Sequence, residues 1–165
     1  MAFIDFNLEF NTTKISLKPI VATFELAKTV FDVISENREF YKYTPVATIQ
    51  DKVQMFGFLK NAQKEKETRT KATYIMYNNN VFVGMCYVFN IDLYNKTAEI
   101  GCWGTPQATK LGLVSHAFTV LSNKCFDSGF CRITTSVDSK NIDGCKVAEK
   151  SGFIRNQMVF FTKER

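Results

Sequence analysis

The segment EIGCWGTPQATKLGLVSHAF, residues 99–118, decides the fold because a strand runs through a loop directly into a helix. We predict the strand over Glu99 to Trp103 and the helix from near Leu111-Gly112. A helix that begins at the end of a strand presents unpaired N–H groups and the positive end of its dipole. Gly112 removes the Cβ that would hold a phosphate away from the backbone, which predicts an anion site; a plain turn glycine is the alternative.

An antiparallel meander of three strands precedes this segment. Ala72 to Tyr77 and Val81 to Asn90 are rich in β-branched and aromatic residues, and Asn78-Asn79-Asn80 between them tolerates the positive φ of a tight turn. The third strand is Thr97 to Trp103. These three runs predict a hairpin that continues into the deciding strand.

The elements on either side complete the pattern. Upstream we predict a short strand, Ile15 to Leu17, stopped by Pro19, followed by two amphipathic helices, Val21 to Glu36 and Thr48 to Lys64. Downstream we predict a helix, a strand, a second helix and a final strand, namely Leu113 to Phe126, Cys131 to Val137, Ile142 to Lys150 and Gln157 to Thr162. This alternation implies a partly parallel sheet covered by helices, an α/β fold with a mixed sheet.

Length and composition predict one domain over residues 1–165. A content of 45% apolar and 22% charged residues excludes disorder for most of the chain. The densest uncharged apolar stretch, Val81 to Ile91, falls short of the roughly 20 residues of a membrane-spanning helix. The start, MAFIDFNLEF, lacks a secretion signal. We therefore expect a cytoplasmic protein that does not contact a membrane.

The cysteine pattern and the net charge indicate which classes of ligand the protein binds. The five cysteines are scattered, without a Cys-x-x-Cys pair, and a single histidine accompanies them, so we expect reduced thiols and no metal site. The net charge of +5 is spread out and no nucleic-acid motif is present, so we expect no nucleic acid partner. A mildly positive chain suits an anionic, phosphate-bearing ligand.

Several separated segments share one order and spacing. They are Ile15-Ser16-Leu17-Lys18-Pro19, Asn37-Arg38-Glu39-Phe40 with Tyr43-Thr44-Pro45, Glu99-Ile100-Gly101-Cys102-Trp103 with Pro106, Arg132-Ile133 with Val137-Asp138 and Asn141, and Glu149-Lys150-Ser151-Gly152-Phe153. Together these segments, which span nearly the whole chain, resemble the GNAT superfamily of acyl-CoA N-acyltransferases. Within it, they resemble the ribosomal-protein N-terminal acetyltransferase type, RimJ/RimL-like.

The resemblance implies a single GNAT-like domain. Its central twisted sheet is mixed but mostly antiparallel, has about six to seven strands flanked by helices, and contains a splayed pair of parallel strands. It also implies that acetyl-CoA lies between the splayed strands, with its pyrophosphate on backbone amides of a loop that here comprises Thr109, Lys110, Leu111, Gly112, Leu113 and Val114. Thr109, Leu111 and Val114 depart from the family pattern, and the last two add bulk near this loop. Lys110 offers a charge-assisted contact to a phosphate.

For catalysis, Glu99 is the candidate general base, because the attacking amine must lose a proton. Its alternative is an exposed strand residue paired with a lysine such as Lys96. Amides at Gly101, Cys102 and Trp103 are candidates to bind the acetyl carbonyl. Ala148 stands where many family members carry a tyrosine acid, so Ser139, Asn141 or solvent takes that role. Asn141 is also a candidate cofactor contact and, equally, a candidate helix N-cap.

Two further residues, Cys102 and His116, are of types that take part in catalysis. Cys102 lies on the strand beside the implied thioester, so a covalent acyl relay is one interpretation; space filling where relatives carry tyrosine is the one we favour. His116, the one histidine, stands in the first turns of the helix that follows the loop. We interpret it as a structural or rim residue, because the amine should approach from the strand side.

The resulting prediction is an acetyl-CoA-dependent N-acetyltransferase in which a primary amine attacks the thioester directly. The amine belongs to a small molecule or to a protein N-terminus, and the acceptor pocket implied by the family involves Phe40 to Pro45, Phe56 to Phe58 and Asn90 to Tyr94. The alternative is a degenerate GNAT-fold protein that binds CoA or a protein partner without turnover. A small structural or nucleic-acid-associated domain is a third interpretation. The protein is expected to be a monomer or a homodimer.

Overall fold

The computed structural model describes residues 5–156. Six strands and five α-helices follow one another in this part of the chain. In order they are β1 (Phe10–Asn11), β2 (Ser16–Pro19), α1 (Phe24–Glu36), a 3₁₀ helix (Arg38–Tyr41), α2 (Lys52–Glu67), β3 (Ala72–Asn78), β4 (Val81–Asp92), β5 (Thr97–Gly104), α3 (Pro106–Lys110), α4 (Leu113–Asp127), β6 (Arg132–Thr134) and α5 (Ile142–Lys150).

The six strands form one sheet in the order β1-β2-β3-β4-β5-β6. Neighbouring strands are antiparallel except β5 and β6, which are parallel with Thr97 opposite Arg132 and Glu99 opposite Thr134. The predicted mixed, mostly antiparallel sheet with one parallel pair is thus confirmed. The predicted strand Gln157 to Thr162, which would make a seventh, lies outside the described residues.

The predicted hairpin between β3 and β4 is present. Asn79 and Asn80 adopt positive φ angles of 49° and 63° in the two-residue turn between Asn78 and Val81. Positive φ at both central residues matches the right-handed twist of the flanking strands. Asparagine tolerates this conformation better than most residues, which is why the Asn tract is placed here.

Two helices begin later than predicted because a side chain caps each of them. The Leu26 N–H donates to Thr23 Oγ1 at 3.1 Å, so α1 starts at Phe24 rather than near Val21. The Gln54 N–H donates to Asp51 Oδ1 at 2.8 Å, so α2 starts at Lys52 rather than near Thr48. An N-cap residue has extended φ and ψ, which fixes the boundary at that position.

The segment between β5 and α4 also differs from the prediction. Thr105 caps the short helix α3, which replaces the predicted loop, and Gly112 adopts a left-handed φ of 72° before α4 begins. The strand predicted over Cys131 to Val137 is wrong in length, because β6 pairs with β5 only through Thr134. The residues after Thr134 leave the sheet and become available to line a site.

Two hydrophobic clusters cover the two faces of the sheet. One lies between the sheet and α4 and includes Leu17, Cys86, Ile100, Phe118 and Leu121. The other lies between the sheet and the α1 and α2 pair, and includes Ile34, Leu59, Met85, Tyr87 and Trp103. No helix within residues 5–156 is both long enough and apolar enough to cross a membrane.

Candidate active site

A cleft of about 500 Å³ opens where β5 and β6 separate. The two strands pair as far as Glu99 and Thr134, and β5 then continues to Gly104 without a neighbour on that side in the described part of the chain. One wall of the cleft is the second half of β5, and the other is the segment from Thr135 to Gly144. Ligands of α/β sheets bind at such a point, beyond the carboxyl ends of parallel strands.

The backbone of β5 presents hydrogen-bonding groups to this cleft. The Thr105 N–H donates to the Val83 carbonyl oxygen at 2.9 Å, one position beyond the pair of Gly84 and Gly104. Bonded and non-bonded pairs alternate along an antiparallel ladder, so Cys102 and Gly104 occupy non-bonded positions toward β4. Their N–H and C=O groups therefore point away from β4 and into the cleft, where they are available to a ligand.

The amino terminus of α4 lies at the mouth of the cleft. No side chain caps its first turn, Gly112 is exposed, and a Cβ built on Gly112 would meet no atom within 4 Å. Leu111 is 63% exposed, so its bulk is directed to solvent. The uncapped N–H groups and the dipole of α4 fit a phosphate group, and Lys110 in the last turn of α3 adds a positive charge beside them.

Val114 contacts the sheet rather than filling the mouth of the cleft. It is buried, and its Cγ2 lies only 2.6 Å from where a Cβ on Gly104 would be. The missing side chain of Gly104 therefore accommodates Val114. This pairing explains how the first turn of α4 stays close to β5 although Val114 is bulkier than the family pattern.

The opposite face of β5 is lined by aromatic rings. The Trp103 Nε1–H donates to Tyr87 Oη at 2.7 Å, and both side chains are buried at the edge of the cleft. Burial raises the pKa of Tyr87 still further above neutral pH, where a tyrosine hydroxyl is already protonated. A Cβ on Gly101 would lie 3.7 Å from the Tyr87 ring and 3.8 Å from the Phe89 ring, so this glycine keeps the space between them open.

Glu99 lies at the vertex where the strands diverge, but it is not among the residues that line the cleft. Its Oε2 accepts a hydrogen bond from Asn90 Nδ2 at 2.9 Å, a partner other than the lysine considered from the sequence. Strand alternation places Glu99 on the same face as Gly101 and Trp103. Because Gly101 has no side chain, no β5 side chain separates the Glu99 carboxylate from the cleft.

Asn141 and Ser139 occupy different positions in the loop before α5. Asn141 lines the cleft, and its Oδ1 accepts from the Gly144 N–H at 2.9 Å, so it is the N-cap of α5. Ser139 is exposed and outside the cleft lining. A Cβ on Gly144 would lie 2.6 Å from Asn141 Nδ2 and 2.9 Å from Val137 Cγ1, so Gly144 allows this wall to pack closely.

Replacing Asn141 separates its two possible roles. Asn141→Ala removes the cap and should destabilise the fold by about 1 kcal/mol. Asn141→Asp retains a capping oxygen but loses the amide N–H donors, so stability should be retained while any contact to a bound anion is lost. We expect thermal unfolding to detect the lost cap in Asn141→Ala. Titration with acetyl-CoA should detect the lost amide donors in Asn141→Asp. Equal acetyl-CoA affinity in both variants and the wild type would leave Asn141 with the capping role alone.

The surroundings of the Cys102 and His116 side chains do not favour a chemical role for either in acetyl transfer. Cys102 is half-buried at the cleft wall, and burial, followed by the neighbouring Cys86 thiol, raises its pKa. The thiolate is the nucleophilic form, so this shift disfavours an acyl relay through Cys102. His116 Nε2 lies 3.1 Å from Thr12 Oγ1, which ties α4 to the turn before β2.

The structure brings together only part of the predicted set. Six predicted residues line the cleft, namely Gly101, Cys102, Trp103, Thr109, Val114 and Asn141, whereas six others do not, namely Glu99, Lys110, Leu111, Gly112, Leu113 and Ser139. Sequence reasoning did not assign Tyr87 or the segment Thr135 to Val137 to the site. The position of Tyr87 in β4 follows the alternation of a core residue, so no sequence signal marks it as part of the site. The segment after β6 could have been predicted, because ligands bind beyond the carboxyl ends of parallel strands.

Comparisons with known proteins agree with this geometry. The family model "Acetyltransferase (GNAT) domain" matches residues 15–154. No curated protein matches the sequence. The microcin C7 self-immunity acetyltransferase MccE, solved with acetyl-CoA and AMP, is similar with a TM-score of 0.77 at 21% identity over 86% of this chain and 79% of that one.

Two further solved structures are similar. A putative ribosomal-protein-serine acetyltransferase from Vibrio cholerae has a TM-score of 0.80 at 17% identity, over 92% of this chain and 86% of that one. The ribosomal L7/L12 acetyltransferase RimL in complex with coenzyme A has a TM-score of 0.77 at 15% identity, over 87% and 82%. At these identities the likeness shows the fold, and the family match covers most of the chain. The chain belongs to the GNAT acetyltransferase family, whose members use acetyl-CoA as their cosubstrate.

Proposed function

We propose that this chain transfers the acetyl group of acetyl-CoA to a primary amine, with a protein N-terminus as the acceptor to test first. The observation that carries the proposal is the cleft between β5 and β6, which has backbone donors of β5 on one wall and the uncapped amino terminus of α4 at its mouth. The same features argue against a degenerate protein without turnover. The choice of acceptor is supported by the fold shared with relatives named for ribosomal proteins.

In this proposal the pyrophosphate of acetyl-CoA binds the first N–H groups of α4, at Leu113 and Val114, beside Gly112 and Lys110. Thr109 and Asn141 contact the extended arm of acetyl-CoA, between its pyrophosphate and its thioester, along the cleft. The Cys102 N–H, which points into the cleft, is the donor for the acetyl carbonyl oxygen. Gly101 and Trp103 border the side from which the amine approaches.

Glu99 is the proposed general base. The acceptor arrives as an ammonium ion and loses a proton to the Glu99 carboxylate, directly or through one water. The neutral nitrogen attacks the carbonyl carbon of the thioester, the C–S bond breaks, and the departing thiolate takes a proton. Asn141 lines the cleft and is better placed than the exposed Ser139 to orient this leaving group, with solvent as the proton source.

Turnover with a panel of amines tests the function. Peptides with free serine or alanine N-termini, a polyamine and an aminoglycoside would each be incubated with acetyl-CoA, and thiol release measured together with the mass of the product. An acetylated peptide, with no product from the same peptide blocked at its N-terminus, supports the proposal. Thiol release that needs no amine, or no product from any amine, would contradict it.

A side chain at Gly101 should block the acceptor without affecting the cosubstrate. Gly101→Val would place methyl groups against the Tyr87 and Phe89 rings, on the face opposite α4. We expect kcat/KM for the amine to fall at least about tenfold, equivalent to ~1.4 kcal/mol, with the Kd for acetyl-CoA unchanged. Gly57→Ala, at an exposed helical position with open space around it, is the matched control.

The aromatic residues at the acceptor side favour an amine attached to an apolar or extended group. Phe40, Tyr43 and Pro45 border the cleft together with Glu39 and Lys42. The Lys42 ammonium group pairs with the Glu39 carboxylate, so these two side chains add no net charge to this border. We further propose a cytoplasmic location, since the five cysteines are free.

A further inference from the structure

Two cysteines face each other across β4 and β5 beside the cleft. Cys86 is directly opposite Cys102 in the register. The bond from the Thr105 N–H to the Val83 carbonyl oxygen identifies a bonded pair, and counting along the ladder makes Cys86 and Cys102 a non-bonded pair. In such pairs the Cα atoms are about 4.5 Å apart, which falls within the range that a disulfide bridges.

The two thiols share a face and differ in accessibility. Both side chains belong to the hydrophobic cluster beneath α4, together with Cys125. Cys86 and Cys125 are fully buried, whereas Cys102 is partly exposed where it lines the cleft. A small oxidant that enters the cleft therefore reaches Cys102 first and finds Cys86 immediately behind it.

We propose that Cys102 and Cys86 form an oxidative modification site, in which a peroxide oxidises Cys102 and Cys86 resolves the product as a disulfide. The Cys102 thiolate attacks one peroxide oxygen, the O–O bond breaks, and hydroxide leaves to give a sulfenic acid. The Cys86 sulfur then attacks Cys102 Sγ, the S–O bond breaks, and water leaves. Two thiols lose two electrons and two protons, and one hydrogen peroxide becomes two waters.

Cys86 thereby protects Cys102. A sulfenic acid without a neighbouring thiol proceeds to sulfinic and sulfonic acids, which a thiol reductant does not reverse. A disulfide with Cys86 prevents this further oxidation and can be reduced again by a thiol. Burial keeps most Cys102 in the thiol form, so the site responds to sustained rather than brief exposure to peroxide.

Peptide mapping after treatment with hydrogen peroxide tests the site without any measurement of activity. Trypsin places Cys86 in the peptide 72–96, Cys102 in 97–110, and both Cys125 and Cys131 in 125–132. We expect 72–96 linked to 97–110 in the wild type, released by dithiothreitol, absent in Cys86→Ala and Cys102→Ala, and retained in Cys125→Ala. A link from 97–110 to 125–132, or only over-oxidised or unmodified Cys102, would overturn the proposal. Thermal unfolding of each variant before oxidation verifies that it is folded.

Two further readouts rest on the proposed function. Bound acetyl-CoA should slow formation of the link, because it occupies the cleft through which peroxide enters. After peroxide and then dithiothreitol, the wild type should recover its acetyl transfer, while Cys86→Ala should lose it permanently. A link that forms equally fast with acetyl-CoA present would count against the placement of the cosubstrate and leave the disulfide itself standing.

Discussion

Glu99→Gln is expected to lower the rate of acetyl transfer by about 10²- to 10⁴-fold, the range for loss of a general base. The glutamine amide retains the shape of the side chain, and its oxygen can still accept the hydrogen bond from Asn90 Nδ2. It cannot accept the proton of an ammonium ion. Steady-state thiol release with a peptide acceptor measures this loss. The Kd for acetyl-CoA should remain that of the wild type, because Glu99 is outside the cleft lining.

The pH dependence distinguishes a base from a structural carboxylate. The N-terminal amine of a peptide has a pKa of roughly 7.7–8.0, and above this pH it arrives already neutral. The ratio of wild-type to variant rate should therefore shrink as the pH rises through that range. Glu25→Gln, which changes an exposed carboxylate in the first turn of α1, is the matched control. A wild-type rate in Glu99→Gln at pH 7 would remove Glu99 from the mechanism.

Gly104→Ala should overpack the contact between β5 and the first turn of α4. The new Cβ would lie 2.6 Å from Val114 Cγ2, 3.0 Å from the Val83 carbonyl oxygen and 3.3 Å from Ala108 Cβ. Overpacking of this kind costs about 1–3 kcal/mol of unfolding free energy. Because the displaced group belongs to the first turn of α4, we also expect weaker binding of acetyl-CoA. Urea denaturation and calorimetric titration measure the two effects.

A second substitution tests whether Val114 is the cause. Gly104→Ala combined with Val114→Ala removes the closest contact and leaves the one with the Val83 carbonyl oxygen. The double variant should be less destabilised than the sum of the single changes, with an interaction free energy of about 1 kcal/mol. Strictly additive changes in unfolding free energy would show that the side chains at positions 104 and 114 do not interact. A single Gly104→Ala variant as stable as the wild type would contradict the close packing itself.

Local signals were sufficient for most of the fold. The hairpin of β3 and β4 follows from Asn78-Asn79-Asn80, whose side chains suit positive φ. The bounds predicted for α5, Ile142 to Lys150, are those observed, because the cap at Asn141 and a left-handed Gly152 stop the helix at both ends. The short helix α3 was missed although its signal, a Thr105 cap followed by Pro106, is present.

The remaining errors concern the pairing of distant segments. Cys131 to Val137 has the composition of a strand throughout, but only Arg132 to Thr134 pairs, because β5 diverges beyond Glu99. Divergence of two strands is a property of the assembled sheet, which no local pattern encodes. The same holds for Tyr87, whose position at the cleft depends on its bond with Trp103 rather than on its neighbours in sequence.

Calorimetric titration with acetyl-CoA tests the central claim most directly, that the cleft between β5 and β6 and the amino terminus of α4 hold the cosubstrate. Free CoA and AMP are the controls. Gly112→Trp fills the mouth beside the uncapped N–H groups, and because Gly112 has a left-handed φ of 72°, thermal unfolding first verifies that the variant is folded. We predict saturable binding of acetyl-CoA to the wild type that is lost in Gly112→Trp. No heat of binding at millimolar acetyl-CoA, or equal affinity in the variant, would contradict the account.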